Sequence, residues 1–293
     1  MIEGLILIKK SNMFLKTKIT AILLLGISSV LYGQLKLPVL SPKANVSQTA
    51  GLTEIDISYS RPSARGRKVF GEKGIVPFGE FWRTGANAVT KIAFSKPVTI
   101  GGVNLKKGDY VVLTKPNKLE WKLFLYPYQD QNWGNYVSKE PLVTMNLKRT
   151  SISEKVESFQ IGFQNITFDT VDIVFEWGNT KIELPVQLNT KSESVKNIKR
   201  AFEEPSAFDY FQAAVYLHET KIDLKQALKY IQKVTSNENA LFFQVHREAL
   251  ILSDLGKNKE ALVAAKKSLV LSKKAKNDDF VRLNENLISK LNK

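Results

Sequence analysis

The sequence predicts two domains: an antiparallel β-sandwich or barrel-like domain, followed by an α-helical domain of tetratricopeptide-like repeats. Three observations carry this. Apolar residues recur with period two from Val46 to Leu188, the period becomes helical past Pro205, and the helical part repeats itself at a spacing of 34 residues. The 293 residues suffice for two ordinary domains. A content of 43% hydrophobic and 24% charged residues is the balance of a chain that buries a core.

The β domain is read from its alternations. "TEIDISYS" places Ile55, Ile57 and Tyr59 on one face, against Glu54, Asp56 and Ser58 on the other. Val143, Met145 and Leu147 repeat the pattern, as do Phe159, Ile161 and Phe163, and then Val171, Ile173, Phe175 and Trp177. "WKLFLY" is apolar on both faces, as a strand covered on both sides would be. Turn signals such as "IGG", "KKGD", "KPNK" and "WGNT" separate the runs. About eight or nine strands are expected.

The helical domain is read from internal alignment. Ala227 falls over Ala261 and Leu228 over Leu262, with Phe211 over Val245 and Val215 over Ala249 upstream. Small residues at fixed places in a helix–turn–helix unit of this length let two helices pack closely, as in the tetratricopeptide repeat. Phe280, Leu283, Leu287 and Leu291 form one stripe on a final capping helix. Such a stack is expected either to present a surface to a protein or peptide partner or to brace the β domain.

The N-terminus reads as an address. From Met13, Lys16 and Lys18 form a positive region, Ile19 to Leu31 an apolar one, and Gly33 a small residue before Gln34. The expected division is therefore 1–33 as signal peptide with its true start at Met13, 34–189 as β-sandwich, 190–204 as linker and 205–293 as helical repeat. The mature chain has no apolar run of the ~20 residues that a spanning helix needs. The expected location is periplasmic, cell-envelope or extracellular.

Composition narrows the chemistry. The formal net charge of +15 is spread over signal, β and helical segments, which argues against a nucleic-acid interface. There is no cysteine, so disulfides, thiolate metal sites and a cysteine nucleophile are excluded. The two histidines, His218 and His246, both fall in the repeat region, so a triad in the β domain would lack its usual base. No zinc-binding spacing occurs, and the glycines of "GRKVFGEKG" are followed by Glu72 and Lys73 rather than by Lys and Ser or Thr. No cofactor and no metal is expected.

One segment departs from these patterns. "SRPSARGRKVFGEKGIVPFGEFWRTGAN", Ser60 to Asn87, concentrates arginine, glycine and aromatic residues. Pro62 ends a strand, the glycines permit tight turns, and Phe70, Phe78, Phe81 and Trp82 can pin the segment as a lid over the sheet. The candidate ligand-binding residues are Arg61, Arg65, Arg67, Arg83, Thr84 and Asn87, with Trp82 or Trp133 stacking on a ligand. Arginine's planar fork suits carboxylate or phosphate. The alternative use for these arginines is internal, in pairs with Glu54, Asp56 or Glu80 and with loop carbonyls.

The order Ser-Arg-Pro, Gly-Arg, Phe-Gly, Pro-x-Gly, Trp-Arg-Thr-Gly-Ala-Asn resembles the bacterial secreted domain-of-unknown-function family 2911, over about Ser41 to Val186. The resemblance implies a fold neighbourhood and often a helical tail, but no activity. The expected role is non-catalytic binding of an acidic or carbohydrate-like ligand, with a protein or peptide partner on the repeats. The alternatives are an envelope hydrolase that uses a carboxylate with arginine support on a glycan or other acidic substrate, and an assembly factor working through the repeats alone.

Overall fold

The computed structural model describes residues 37–201 and 205–293, so the signal-peptide assignment lies outside the described residues. Ten strands form the β domain: β1 (Lys43–Ala50), β2 (Thr53–Ser60), β3 (Thr90–Phe94), β4 (Val98–Ile100), β5 (Val103–Leu105), β6 (Gly108–Pro116), β7 (Glu120–Pro127), β8 (Val143–Lys148), β9 (Thr150–Gln164) and β10 (Thr170–Leu188). One sheet has the order β1-β2-β3-β6-β7-β8 and the other β5-β4-β10-β9, with every pairing antiparallel. The short β4–β5 hairpin takes the count past the expected eight or nine.

The predicted inward faces meet between the sheets. Ile55, Ile57 and Tyr59 of β2 and Trp121 and Leu123 of β7 pack in one core with Phe159 of β9 and Phe175 and Trp177 of β10. β7 is covered on both faces, as its sequence requires. Its outward Phe124 and Tyr126 join Val111, Leu113 and Tyr136 in a second cluster beneath the loop that follows it. That loop carries the one-turn helix α1 (Gly134–Val137).

Six helices follow: α2 (Thr190–Ala201), α3 (Ala207–Glu219), α4 (Leu224–Thr235), α5 (Phe242–Asp254), α6 (Asn258–Lys274) and α7 (Asp278–Leu291). The stretch expected as a linker, or as a fraying helix start, is thus helical over α2, with Lys199 and Arg200 in its last turn where they meet the negative end of the helix dipole. The Lys96–Glu193 ion pair ties α2 to the β domain. Ser206 and Asp209 form a reciprocal capping box that starts α3. Ala227 and Ala261, equivalent by the 34-residue spacing, are both fully buried where helices meet.

The last helix corrects one expectation. Leu283 was placed on the buried stripe, yet it is 47% exposed, while its neighbour Asn284 is fully buried. The reason is a polar network. Asn284 Nδ2 donates to Ser268 Oγ (3.0 Å), Ser272 Oγ (3.3 Å) and the Phe280 carbonyl (2.6 Å). That leaves Asn284 Oδ1 to accept from His246 Nδ1 at 2.8 Å.

Candidate functional site

The site is built on an interruption of a β ladder. β3 pairs with β6 from Thr90↔Val112 to Phe94↔Gly108. Upstream, the chain rejoins the same edge of β6 at Trp82. There Trp82 N donates to Thr114 O (2.7 Å) and Thr114 N to Trp82 O (2.9 Å). Residues 83–89 therefore loop out of the ladder between two anchored ends. Arg83, Thr84 and Asn87 all lie in this loop.

Internal hydrogen bonds fix the loop's shape. Trp82 Nε1 donates to the Gly85 carbonyl (2.9 Å), Thr90 Oγ1 to the Thr84 carbonyl (2.6 Å), and Arg83 Nη1 to the Asn87 carbonyl (2.6 Å). Thr84 and Asn87 have φ of 54° and 59°. A β-branched residue in the left-handed region costs about 1–2 kcal/mol, so these hydrogen bonds hold a conformation the chain would not choose locally.

A second loop faces the first. Tyr136 of α1 is fully buried, and its hydroxyl accepts from Gln129 N and Asp130 N and donates to Asp130 O, each at 2.9 Å. One hydroxyl thereby organises the turn that presents Tyr128, Gln131 and Asn132. Val89 N donates to the Gln131 carbonyl (3.2 Å), and the Arg83 guanidinium lies 5.2 Å from the Trp133 ring centre. Asn87 Nδ2 reaches the Ser41 carbonyl (3.1 Å) and Ser60 Oγ (3.4 Å), which closes the third side.

Between these walls lies a cleft of about 250 Å³ lined by Lys43, Ser58, Tyr59, Ala88, Lys91 and Tyr128, among others. It runs into a shallower basin beside Ser41, Asn87, Gln131 and Asn132. No carboxylate lines either part. Lys91 is paired with Asp109 at 2.7 Å, whereas Lys43 makes no ion pair among the described residues. Asp130 lies in the wall-forming loop. The Asn135 amide, then the Asn132 main-chain N–H, hold its carboxyl below the usual range, so it stays ionised.

The eight candidates from the sequence thus separate. Asn87 lines the basin, whereas Arg83 and Trp133 pair with each other in the two wall-forming loops without lining the cleft themselves. Trp82 and Thr84 do not face it. Trp82 packs at 5.8 Å from both Trp121 and Trp177 and 5.0 Å from Phe159, closing the end of the core, and the fully buried Thr84 shares a hydrogen bond with Thr114. Arg61, Arg65 and Arg67 lie elsewhere, where the segment runs along β9 through the Ser63–Ser158 bridge. Arg61 Nε donates to Phe159 O (3.0 Å), Arg65 Nη2 to Leu40 O (2.7 Å), and Arg67 to Ala64 O (2.9 Å) and Ser63 O (3.0 Å).

The expected pairing with Glu54, Asp56 or Glu80 does not occur. Among the described residues none of the four guanidiniums makes an ion pair, and nearly every side-chain bond they form goes to a main-chain carbonyl. A carbonyl orients a guanidinium without cancelling its charge. Sequence reasoning missed Lys43, Tyr128 and Gln131, whose convergence depends on strand pairing, and the organising role of Tyr136, although "NWGNY" stood out as an aromatic and amide loop.

No curated protein and no solved structure matches the chain. Residues 41–186 match the model of the family described as protein of unknown function (DUF2911), and the β domain of this chain belongs to that family.

Proposed function

We propose that the chain is an exported, non-catalytic binding protein whose β domain holds a small acidic or carbohydrate-like ligand in the cleft beside Asn87. In this reading the helices form a tetratricopeptide-like stack offered to a protein or peptide partner. The observation that carries the ligand reading is a polar cleft lined by Lys43, which makes no ion pair among the described residues, and by no carboxylate. Lys43 lines both parts of the cleft, and Arg83, oriented by the Asn87 carbonyl and the Trp133 ring, adds a second cation, likewise unpaired among the described residues, in the adjoining wall loop. Tyr128 supplies an aromatic ring, and Gln131 and Asn132 supply amides for hydroxyl groups. The export reading rests on the pattern from Met13 to Gln34, and the repeat reading on the 34-residue alignment. No helix among the described residues is long and apolar enough to cross a membrane.

The hydrolase alternative calls for a carboxylate kept protonated in a cleft. The carboxyl groups whose acidity is displaced, Asp130, Asp209 and Asp254, all move the opposite way, and none lines the cleft beside Asn87. This favours binding over turnover. The test is calorimetric titration of the purified protein with uronic acids, neutral sugars and short acidic peptides, alongside Arg83→Gln and Lys43→Gln. Binding of an acidic sugar that both substitutions weaken at least tenfold supports the reading. Binding indifferent to both substitutions, or none at millimolar concentration, removes it.

A further inference from the structure

A second depression in the β domain, distinct from the cleft beside Asn87, is ringed by Arg67, Lys68, Arg149 and Lys155. We propose that it is an anion site that takes a phosphate or sulfate ester carried on a sugar. Its volume is about 430 Å³, and no carboxylate lines it. None of the four cations makes an ion pair among the described residues. Four like charges around one hollow repel one another and weaken the fold, so folding alone does not account for them.

Two of the cations are held in place. Arg149 Nε donates to Thr180 Oγ1 (3.0 Å) and its Nη1 to the Lys118 carbonyl (3.3 Å), which leaves Nη2 uncommitted. Arg67 is curled onto its own turn by the Ala64 and Ser63 carbonyls. Each guanidinium is thus positioned by neutral acceptors that leave its charge uncancelled, with Nη1 of Arg67 and Nη2 of Arg149 left to donate a charge-assisted hydrogen bond to an oxyanion. Lys68 and Lys155 are exposed and close the ring as mobile point charges.

The backbone shapes the hollow. The β9–β10 register slips between Glu176 and Gly178 and again before Thr180. Gly178 has φ of 59°, and a Cβ there would stand 3.4 Å from Val69, so the bulge brings the strand close beneath the segment. Asn179 is tied back to the Ile152 and Ser153 carbonyls. Phe78, 37% exposed, supplies an apolar edge on the rim. A bare tetrahedral ion fills little of such a space and leaves Phe78 without a partner. An ester on a sugar sets the oxyanion against the guanidiniums and a C–H face against the ring.

The test is titration calorimetry of the purified protein with glucose 6-phosphate, glucose 6-sulfate, glucose, inorganic phosphate and inorganic sulfate at two salt concentrations. The expected result is that an ester binds, more weakly at high salt, while glucose does not. Lys68→Gln with Lys155→Gln, both exposed side chains, is expected to weaken binding at least tenfold while Tm holds or rises slightly as the repulsion is relieved. Arg83→Gln, at the other cleft, is expected to leave it unaltered, so the two sites fail independently. Absence of binding by both esters, or binding untouched by the double substitution, overturns the site. Inorganic phosphate binding as tightly as its ester overturns the sugar-ester assignment.

Discussion

Replacing Asn284 with leucine tests whether the buried polar network at the end of the helical domain is a single coupled unit. Leucine keeps the approximate volume, so the change is chemical rather than a cavity. His246 Nδ1–H, in a residue only 7% exposed, loses its acceptor. A buried donor left unsatisfied costs about 1–3 kcal/mol. Ser268 and Ser272 each lose a bond they accept but keep those they donate, to Phe242 O and Ser268 O at 2.8 Å, so they add a smaller amount, about 0.5–1 kcal/mol together. The expected total is about 1.5–4 kcal/mol. For a domain of this size that lowers Tm by roughly 6–30 °C. Far-ultraviolet circular dichroism at the helical band isolates this transition from that of the β domain. His246→Phe alone is expected to cost a similar amount, because it strands the Asn284 carbonyl oxygen. The double variant His246→Phe/Asn284→Leu removes both partners and is expected to recover at least 1 kcal/mol of the summed losses. A double variant as unstable as that sum, or an Asn284→Leu protein that melts with the wild type, would refute the reasoning.

Other perturbations follow from the same geometry. Trp82→Ala is expected to destabilise the β domain by about 3–5 kcal/mol in denaturant titration, while Trp133→Ala costs about 1 kcal/mol or less, because only the former ring closes the core. Gly51→Ala is expected to cost about 3 kcal/mol or more in the same titration, since its Cβ would stand 2.3 Å from the Phe168 carbonyl oxygen at φ of 54°. Lys276→Gly, at an exposed left-handed position just past the end of α6, is expected to raise stability by about 0.5 kcal/mol in thermal melts of the helical domain. Burial first pushes the His218 and His246 imidazoles below their ordinary value, so both stay neutral in the fold while the unfolded chain takes up protons. Stability of the helical domain is therefore expected to be level above about pH 6.5 and to fall as pH drops below it; melts between pH 8 and 5 that stay flat or rise would contradict this.

The fold was largely legible because each strand's alternation records which side it buries. Ile55 and Ile57, or Phe175 and Trp177, name their face without reference to any partner. The candidate site was legible only as a segment. Residues 83–89 loop out because Trp82 and Thr90 return to the same edge of β6, a decision taken by residues more than twenty positions away. That the arginines turn to loop carbonyls is legible in the sequence, but which carbonyls they reach is not: main-chain carbonyls occur at every residue, so no side-chain pattern singles one out, and the carboxylate half of the expectation fails. The sequence offers Trp82 both as a pin onto the sheet and as a stacking surface, because an aromatic residue beside arginines fits a core edge as well as a ligand wall; the structure uses it as the pin. Asn284 displaced Leu283 from the interior because helical phase alone does not weigh a polar network against a leucine.

The junction of the two domains has a mechanical consequence. β10 runs for 19 residues and leads through Asn189 directly into α2. Its first half is bonded to β9, and its last residues to β4. A pull on the helical domain thus enters the β domain along the axis of β10. It loads the pairs from Asp172↔Gln164 to Glu176↔Gln160 side by side rather than one after another. Strands drawn lengthwise past each other must break many bonds together, whereas strands peeled apart break them singly. The helical part is thus joined to the end of a strand paired on both sides, so a load arriving through α2 is shared between its bonds to β9 and to β4.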